Sequence, residues 1–415
     1  MRKPRRVVIT GLGVVAPNGI GKNAFWEALV AGKSGVRYIT AFDPSPHTCH
    51  VAGEVQDFRP SDFITSRRAK AMGRFSQLAV AASRLALCDA NLSIVSKMSG
   101  RTSICFGTSV AGLQVAVKGV QDFAVGGPGV IKSWTALEYP PHAAASYVAI
   151  ELGINGPALT VSSNCCTGVD AISIAARQIA SGQAEIAIAG SADAPIFQTI
   201  FDAFCTLGAL TKRNEDPKRA SRPYDLLRDG LVLAEGGAAL IVEELDRALD
   251  RGAPIYAEVL GHNAASEAIE MRKGDESGTV MGDVIRSAIR SADLNPIDID
   301  HINAHGSSLP DFDICDTRAF KHAFGDHAYR IPISSIKSMI GQPISAAGLF
   351  QTASACLSIK HQCVPPTINQ EVPDPQCDLD YVANWSRPAR VRYALINGHS
   401  FGGSVSALVI GHLTK

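Results

Sequence analysis

Residues 159–168 read LTVSSNCCTG and lead into VDAISIAARQIASG, and this stretch restricts the fold more tightly than any other. A short apolar run, with Leu159 and Val161, stops at a polar corner, Ser162-Ser163-Asn164. Cys165, Cys166, Thr167 and Gly168 follow, and apolar residues then recur about every third or fourth position through 169–181. The pattern predicts a strand, a tight turn and a helix, with a cysteine where the helix begins. A helix start offers unpaired backbone N–H groups and the positive end of the helix dipole. Both lower a thiol's pKa, so a thiolate is expected there. The corner reads as a nucleophile, which requires hydrogen-bond donors elsewhere in the chain.

Composition excludes several other classes. The chain has 415 residues, enough for a large core and more than one domain-sized unit. Lys+Arg and Asp+Glu both number 39, and this balance argues against nucleic acid as a partner. Arg67, Arg68 and Lys70, with Arg74 close behind, form a local basic cluster. It reads either as a solvated helix face or as a landing patch for an acidic protein. Ten cysteines are scattered without a CxxC pair, which is neither a disulfide framework nor a zinc module. The run His47-Thr48-Cys49-His50 follows two prolines and lacks a second ligand pair, so no metal is expected. The basic start and apolar run of MRKPRRVVITGLGVV resemble a signal peptide but read better as a first strand. No apolar run reaches membrane-spanning length, and free thiols suit a reducing compartment, so a cytoplasmic protein is expected.

In chain order, residues 6–10 are expected to form a strand and Gly11-Leu12-Gly13 a turn. GLGVVA has the outline of a dinucleotide fingerprint, but Pro17-Asn18-Gly19 breaks the chain before a helix can open onto a pyrophosphate. Helices are expected over 23–31, 69–90 and much of 110–150, and strands over 102–107 and 186–190. A polar loop, 212–229, leads to a strand pair around 231–242 divided by Glu235-Gly236-Gly237. The second half repeats this layout. Strands are expected at 255–260, 301–304, 332–335, 393–396 and 405–410, with helices at 282–292, 315–324 and 346–361. Two α/β halves joined near residue 250 (1–250 and 251–415) suggest an internal duplication.

Three further constellations fall at strand tips, where open α/β sheets place ligands. His305, in Asn303-Ala304-His305-Gly306, is placed to donate to a developing oxyanion or to carry a proton. Lys337, in SSIKSMIGQ, is either a solvated charge or an active-site cation. Gly398-His399-Ser400-Phe401-Gly402 matches the hydrolase nucleophile elbow. No acid follows Ser400, however, and the glycines lead into a strand, so a Gly-rich turn lying close to a thioester fits better.

Together these residues resemble the β-ketoacyl synthases of the thiolase superfamily. VVITGLGVVAPNG, SSNCCTG, ASRPYDLLRDGLVLAEG, INAHGSS, SSIKSMIG and SFGG fall in that family's order over nearly the whole chain. FDPSP at 42–46, ADAPI at 192–196 and DPQCDLDYV at 374–382 bring the likeness nearest to ketosynthase (KSα) subunits of type II polyketide synthases. The resemblance implies a thiolase-like fold, two duplicated α/β halves in a layered α-β-α-β-α core. It implies Cys165 as acyl acceptor, His305 as active-site histidine, Lys337 as active-site lysine and Phe401 as gate. The backbone N–H groups of Cys165 and Phe401 would form the oxyanion hole, with Asp313 and Asp316 supporting the site from behind. Gln342 stands where the family usually has a second histidine, Leu309 where it has threonine, and Cys166 also where threonine is usual. An amide can donate a hydrogen bond but cannot deliver a proton; His399, two residues from Phe401, is a candidate to compensate.

The function so implied is decarboxylative Claisen condensation of malonyl-carrier protein onto an acyl chain held by Cys165, in type II polyketide biosynthesis. No metal or redox cofactor is expected, the phosphopantetheine being carried by the acyl carrier protein. Partners would be that acidic carrier, docking at Arg67, Arg68 and Lys70, and a homologous chain-length-factor subunit or a second copy. The rival readings are a fatty-acid elongating synthase and a non-catalytic chain-length-factor-like subunit.

Overall fold

The computed structural model describes residues 5–94 and 96–413. The basic start of the signal-like segment, residues 1–4, lies outside them. The principal strands are β1 (Val7–Ala16), β2 (Thr102–Gly107), β3 (Ala158–Val161), β4 (Ile186–Asp193) and β5 (Gly236–Glu244). The second set is β6 (Ala257–Ser266), β7 (His301–Asn303), β8 (Ile333–Ser334), β9 (Tyr393–His399) and β10 (Ser404–Gly411). The longer helices include α1 (Arg74–Asp89), α2 (Leu113–Gly126), α3 (Ala143–Leu152), α4 (Thr167–Ala180), α5 (Gln198–Leu207), α6 (Thr279–Ser291), α7 (Pro310–Phe324) and α8 (Ala347–His361).

The first five strands lie in the order β3-β2-β4-β5-β1 and the second five in the order β8-β7-β9-β10-β6. Counted within each half, both orders are third, second, fourth, fifth, first. The pairing senses also match. The two pairs at the outer side of each half are parallel and the two at the inner side antiparallel. This shared topology carries the duplication that sequence layout only suggested. A short pairing of Val8 and Ile9 with Glu258 and Ala257 links the halves into one continuous sheet.

Helices α1 and α3 cover one face of the first half, sharing a core with Ile104, Ile188 and Ile241. Helices α6 and α7 cover the second half around Ile302, Leu395 and Val409. Between the halves run α4 and α8, whose apolar residues share one cluster with β1, β5, β9 and β10. The layers are therefore α-β-α-β-α. Helix α8 is buried from Ala347 through Ile359, as a helix packed on every side must be. A Cβ on Gly348 would stand 2.7 Å from Val169 Cγ2, so the glycine permits the close crossing of α8 on α4.

One expected turn is absent. Gly11-Leu12-Gly13 lies inside β1, which runs unbroken and fully buried from Val7 to Ala16. A Cβ on Gly11 would lie 2.2 Å from the Ala86 carbonyl oxygen, and one on Gly13 would lie 1.9 Å from that of Ala82. These glycines let α1 lie on the strand; they do not reverse the chain. The expected helix over 69–90 also divides, into a turn at Ser66–Ala69 and α1, with Gly73 between them.

Candidate active site

The strand–turn–helix corner has the expected form, but the pKa effect expected of it does not hold. Asn164 takes a left-handed conformation (φ 55°), which Asn tolerates, and turns the chain from β3 into a single 3-10 turn over Asn164–Cys166 before α4. Cys165 is buried within the molecule. Burial pushes its thiol up to about 12, against the opposing pull of the Lys337 charge. The thiolate expectation is thus corrected. A helix start lowers a thiol's pKa where solvent also reaches the sulfur, and here desolvation outweighs it.

Cys166 faces away from the cavity. Its sulfur donates to the Ser404 carbonyl at 3.1 Å, beneath the loop that carries Phe401. Ser400 is no hydrolase nucleophile. Its hydroxyl donates to the carbonyls of Ser404 (3.0 Å) and Ser163 (3.4 Å), and among the described residues neither a histidine nor an acid bonds to it.

His305 follows β7 on a turn secured from behind. Asp316 accepts from the Gly306 N–H at 2.8 Å and the Tyr224 hydroxyl at 3.1 Å. Asp313 accepts from the N–H groups of Ser307 (2.9 Å), Ser308 (3.2 Å) and Tyr224 (2.9 Å). The His305 N–H itself donates to the Asn397 side chain at 3.0 Å, and that amide donates onward to Asp316 at 2.9 Å. Burial raises both carboxyls, Asp313 to about 7, with Arg228 pulling it back. Asn397, Tyr224 and Arg228 escaped the sequence reading because each stands in a run that reads as strand or loop.

The protonation of His305 follows from one bond. The His399 backbone N–H donates to His305 Nδ1 at 3.3 Å, so the ring hydrogen sits on Nε2. Burial, then the neighbouring Lys337 charge, holds the imidazole well below its usual pKa and therefore neutral. His305 is a hydrogen-bond donor through Nε2. A backbone amide cannot feed it a second proton through Nδ1.

Lys337 is buried and donates to the His305 carbonyl and, at 3.4 Å, to Gln351. Burial lowers its pKa to about 8, while Cys165 and the two aspartates resist that shift. Gln342 is held through its backbone. Its N–H donates to the Val232 carbonyl at 2.7 Å and its carbonyl accepts from Ala234 at 3.0 Å. The side chain points Nε2 at Cys165 Sγ, 3.5 Å away, and its Oε1 is buried with no partner among the described residues.

Phe401 closes the site on a loop where Ser400, Gly402 and Gly403 all donate backbone hydrogen bonds. Among the described residues no acceptor meets the Phe401 N–H, which leaves it available for an oxyanion. Its ring meets Phe312 edge-on, with centroids 5.4 Å apart. Cys165, His305, Leu309, Gln342, His399 and Phe401 line one cavity. Lys337, Asp313 and Asp316 stand behind it. Its apolar wall of Phe204, Leu231, Leu233 and Ile344 went unremarked in the sequence because single apolar residues on scattered elements leave no motif. The His399 imidazole is turned toward Glu267, with Nε2 at 3.0 Å from the carboxylate and both side chains fully buried.

Arg67 and Arg68 lie on the exposed Ser66–Ala69 turn and Lys70 directly follows it; none of the three lines the cavity, and Arg68 pairs with Glu151 at 2.7 Å. Arg74 is not part of that surface, because its guanidinium is bound to the buried Glu235. The residues His47 to His50 do not converge on an ion: His47 pairs with Asp202, His50 donates to the His47 carbonyl and Cys49 is buried.

Comparison with known proteins places this geometry. Residues 4–248 match the model for the β-ketoacyl synthase N-terminal domain and residues 256–371 that for the C-terminal domain. The chain belongs to the β-ketoacyl synthase family. It is 39% identical over 413 residues to a granaticin polyketide putative β-ketoacyl synthase 1 of Streptomyces violaceoruber, covering 98% of each chain. It is 38% identical over 409 residues to a 3-oxoacyl-[acyl-carrier-protein] synthase 2 of Coxiella burnetii, covering 99% of each. Among solved structures it is similar to the ketosynthase of a type II polyketide synthase captured with its acyl-carrier protein and a hexaketide. That match has a TM-score of 0.92 and 34% identity, covering 99% of this chain and 100% of the other. The ishigamide ketosynthase/chain length factor gives a TM-score of 0.91 and 33% identity, covering 99% and 100%. As a β-ketoacyl synthase the protein is an acyltransferase. No helix among the described residues is long and apolar enough to cross a membrane.

Proposed function

We propose that the protein catalyses decarboxylative Claisen condensation in type II polyketide biosynthesis. The observation that carries this reading is the meeting of Cys165 Sγ with the Gln342 amide in a cavity that His305 also lines and Lys337 backs. An acyl thioester delivered by a carrier protein is attacked by Cys165. The carrier's sulfur leaves and takes the cysteine proton, so this first step consumes no proton overall. The high thiol pKa fits such a concerted exchange, since a free thiolate is never required. As charge grows on sulfur, the Gln342 N–H, the Lys337 ammonium and the start of α4 meet it.

Malonyl-carrier protein then loses carbon dioxide. The resulting enolate oxygen is held by the Nε2–H of His305 and the amide of Gln342. The enolate carbon attacks the Cys165 thioester, whose oxyanion lies on the N–H groups of Cys165 and Phe401. Collapse breaks the carbon–sulfur bond to Cys165 and releases a chain longer by two carbons. This chemistry asks for no resident metal, and the phosphopantetheine arm belongs to the carrier. The exposed Arg67, Arg68 and Lys70 suit an acidic carrier, and a homologous partner subunit is supported by the ishigamide ketosynthase/chain length factor relative. Ten free cysteines suit the cytoplasm. The 38% identity to a 3-oxoacyl synthase sustains the fatty-acid reading, which shares every chemical step.

Incubation with labelled malonyl-carrier protein and acyl-carrier protein tests the reading. Wild type is expected to release a β-ketoacyl carrier. Acylation without any condensation would contradict catalysis, and inability to accept the acyl group would support the non-catalytic subunit.

A further inference from the structure

The condensation proposed above uses no metal, yet three ligand-type side chains that it does not employ meet beside the gate. Glu267 follows directly on β6, Cys315 lies on α7 and His399 ends β9. Each is more than nine-tenths buried. A carboxylate oxygen of Glu267, the Cys315 sulfur and a ring nitrogen of His399 all lie within 4.8 Å of one another.

The cluster is poorly satisfied by its own members. Among the described residues, the Glu267 carboxylate has one partner, His399 Nε2 at 3.0 Å from Oε2, and its Oε1 is buried with none. No Lys or Arg among the described residues pairs with it. His399 Nδ1 is likewise buried without a partner among them. A carboxylate so placed is costly unless positive charge meets it.

We propose that Glu267, Cys315 and His399 bind one zinc ion, which clips the gate loop to the segments packed around it. The donor set selects the ion. A thiolate, an imidazole and a carboxylate are zinc's ligand types, whereas calcium and magnesium take oxygen. Zinc–ligand bonds of about 2.0–2.3 Å set the ligand atoms about 3.3–3.6 Å apart on a tetrahedron. The 3.0 Å between Nε2 and Oε2 is already close to that, and a separation of 4.8 Å needs a closure of about 1 Å. The Asp275 carbonyl oxygen, 3.0 Å from Cys315 Sγ, brings a further oxygen to the cluster. As the sulfur binds, the thiol proton leaves to water.

The surroundings suit an ion. A Cβ on Gly274 would stand 2.8 Å from His399 Nε2 and 3.2 Å from Glu267 Oε2, so the residue facing both ligands is one whose missing side chain leaves that space open. A small pocket reaches Cys315 and His399 and is bordered by the exposed Glu276 and Asp311, whose charges draw a cation, and by Lys273. The Glu267 N–H donates to the Gly403 carbonyl at 2.8 Å, and the Gly402 N–H to the Met271 carbonyl at 2.9 Å. These bonds already tie the segment after β6 to the loop that carries Phe401, and zinc would fasten both to α7. In this assignment the His399 side chain steadies the gate and does not replace the missing second histidine.

The site is tested by metal content, which does not depend on the condensation reading. Wild type, Cys315→Ser, Glu267→Gln and Cys165→Ala are purified without a histidine tag, loaded with zinc, dialysed against metal-free buffer and assayed by elemental analysis. Wild type and Cys165→Ala are expected to keep about one zinc per chain, and Cys315→Ser and Glu267→Gln about a tenth of that or less. Cobalt loaded into wild type in place of zinc should show thiolate-to-metal charge-transfer absorption. That spectrum is read on the unaltered chain, so it decides the question even where a variant fails to fold. Wild type that keeps no zinc, or cobalt-loaded wild type without the charge-transfer band, overturns the proposal. Equal zinc in wild type and a folded Cys315→Ser overturns it as well. Zinc lost in Cys165→Ala would place the ion on the acyl-accepting cysteine and refute the site at Glu267, Cys315 and His399. Zinc retained by a wild type that condenses nothing would uphold the metal site and refute the condensation reading alone.

Discussion

Replacing Gln342 with leucine separates chemistry from stability at one position. The side chain is 3% exposed, its Nε2 faces Cys165 Sγ at 3.5 Å and its Oε1 has no partner among the described residues. Leucine keeps much of the volume and leaves the backbone bonds to Val232 and Ala234 intact. Loss of one donor to a developing oxyanion costs on the order of 10²–10³ in rate, or about 2.7–4 kcal/mol. The stability change has the opposite sign. A buried acceptor left unsatisfied costs about 1–3 kcal/mol, and the substitution removes it. The amide-to-sulfur bond lost in exchange is long, so it is worth no more than about 1 kcal/mol. Gln342→Leu should therefore lose about a hundredfold in condensation with a melting temperature equal to or above that of wild type. Single-turnover chase of acylated enzyme with malonyl-carrier protein, beside calorimetry, reads both quantities. Condensation within threefold of wild type would refute the donor role. A fall in melting temperature that accounts for the lost activity would refute the account of the orphan oxygen.

Three other outcomes follow from the same geometry. Alkylation of Cys165 by iodoacetamide should rise about tenfold per pH unit from pH 7 to 9 without a plateau, because the thiol titrates near 12 and alkylation runs through thiolate; a plateau below pH 8 would restore the low-pKa cysteine that the helix start alone implies. Asn397→Ala should destabilise the fold by about 1–3 kcal/mol, since it strips partners from the His305 N–H and from Asp316, and thermal melting checks it. Lys337 has its folded pKa lowered to about 8 from 10.5, so its charge opposes folding at neutral pH and that opposition fades as pH rises from 8 to 10.5. Denaturant melts of wild type against Lys337→Met should shift in favour of wild type across that window, and a constant difference would contradict the lowered pKa.

How much of this was legible in the sequence differs by kind of feature. Cys165, His305, Lys337 and Phe401 stand in short motifs at the ends of strands, and local pattern is enough to find such residues. The duplication was visible as a repeated layout, but its proof lies in strand order, which depends on pairings hundreds of residues apart. Gly11 and Gly13 were misread because a glycine pair signals a turn locally, whereas here the demand comes from α1, some 70 residues downstream. The Cys165 thiol was misjudged for a related reason. Helix position can be read from sequence, but burial is a property of the whole fold, and burial dominates. Glu267, on β6, and His399, at the end of β9, are 132 residues apart, and no spacing rule would have paired them.

The central claim is that Cys165 holds the acyl chain. Intact-protein mass spectrometry after incubation with an acyl-carrier protein, followed by peptide mapping, tests it directly. The account predicts one acyl adduct, on Cys165, absent from Cys165→Ala and unaffected in Cys166→Ala. An adduct that persists in Cys165→Ala, or that maps to Cys166, would contradict it.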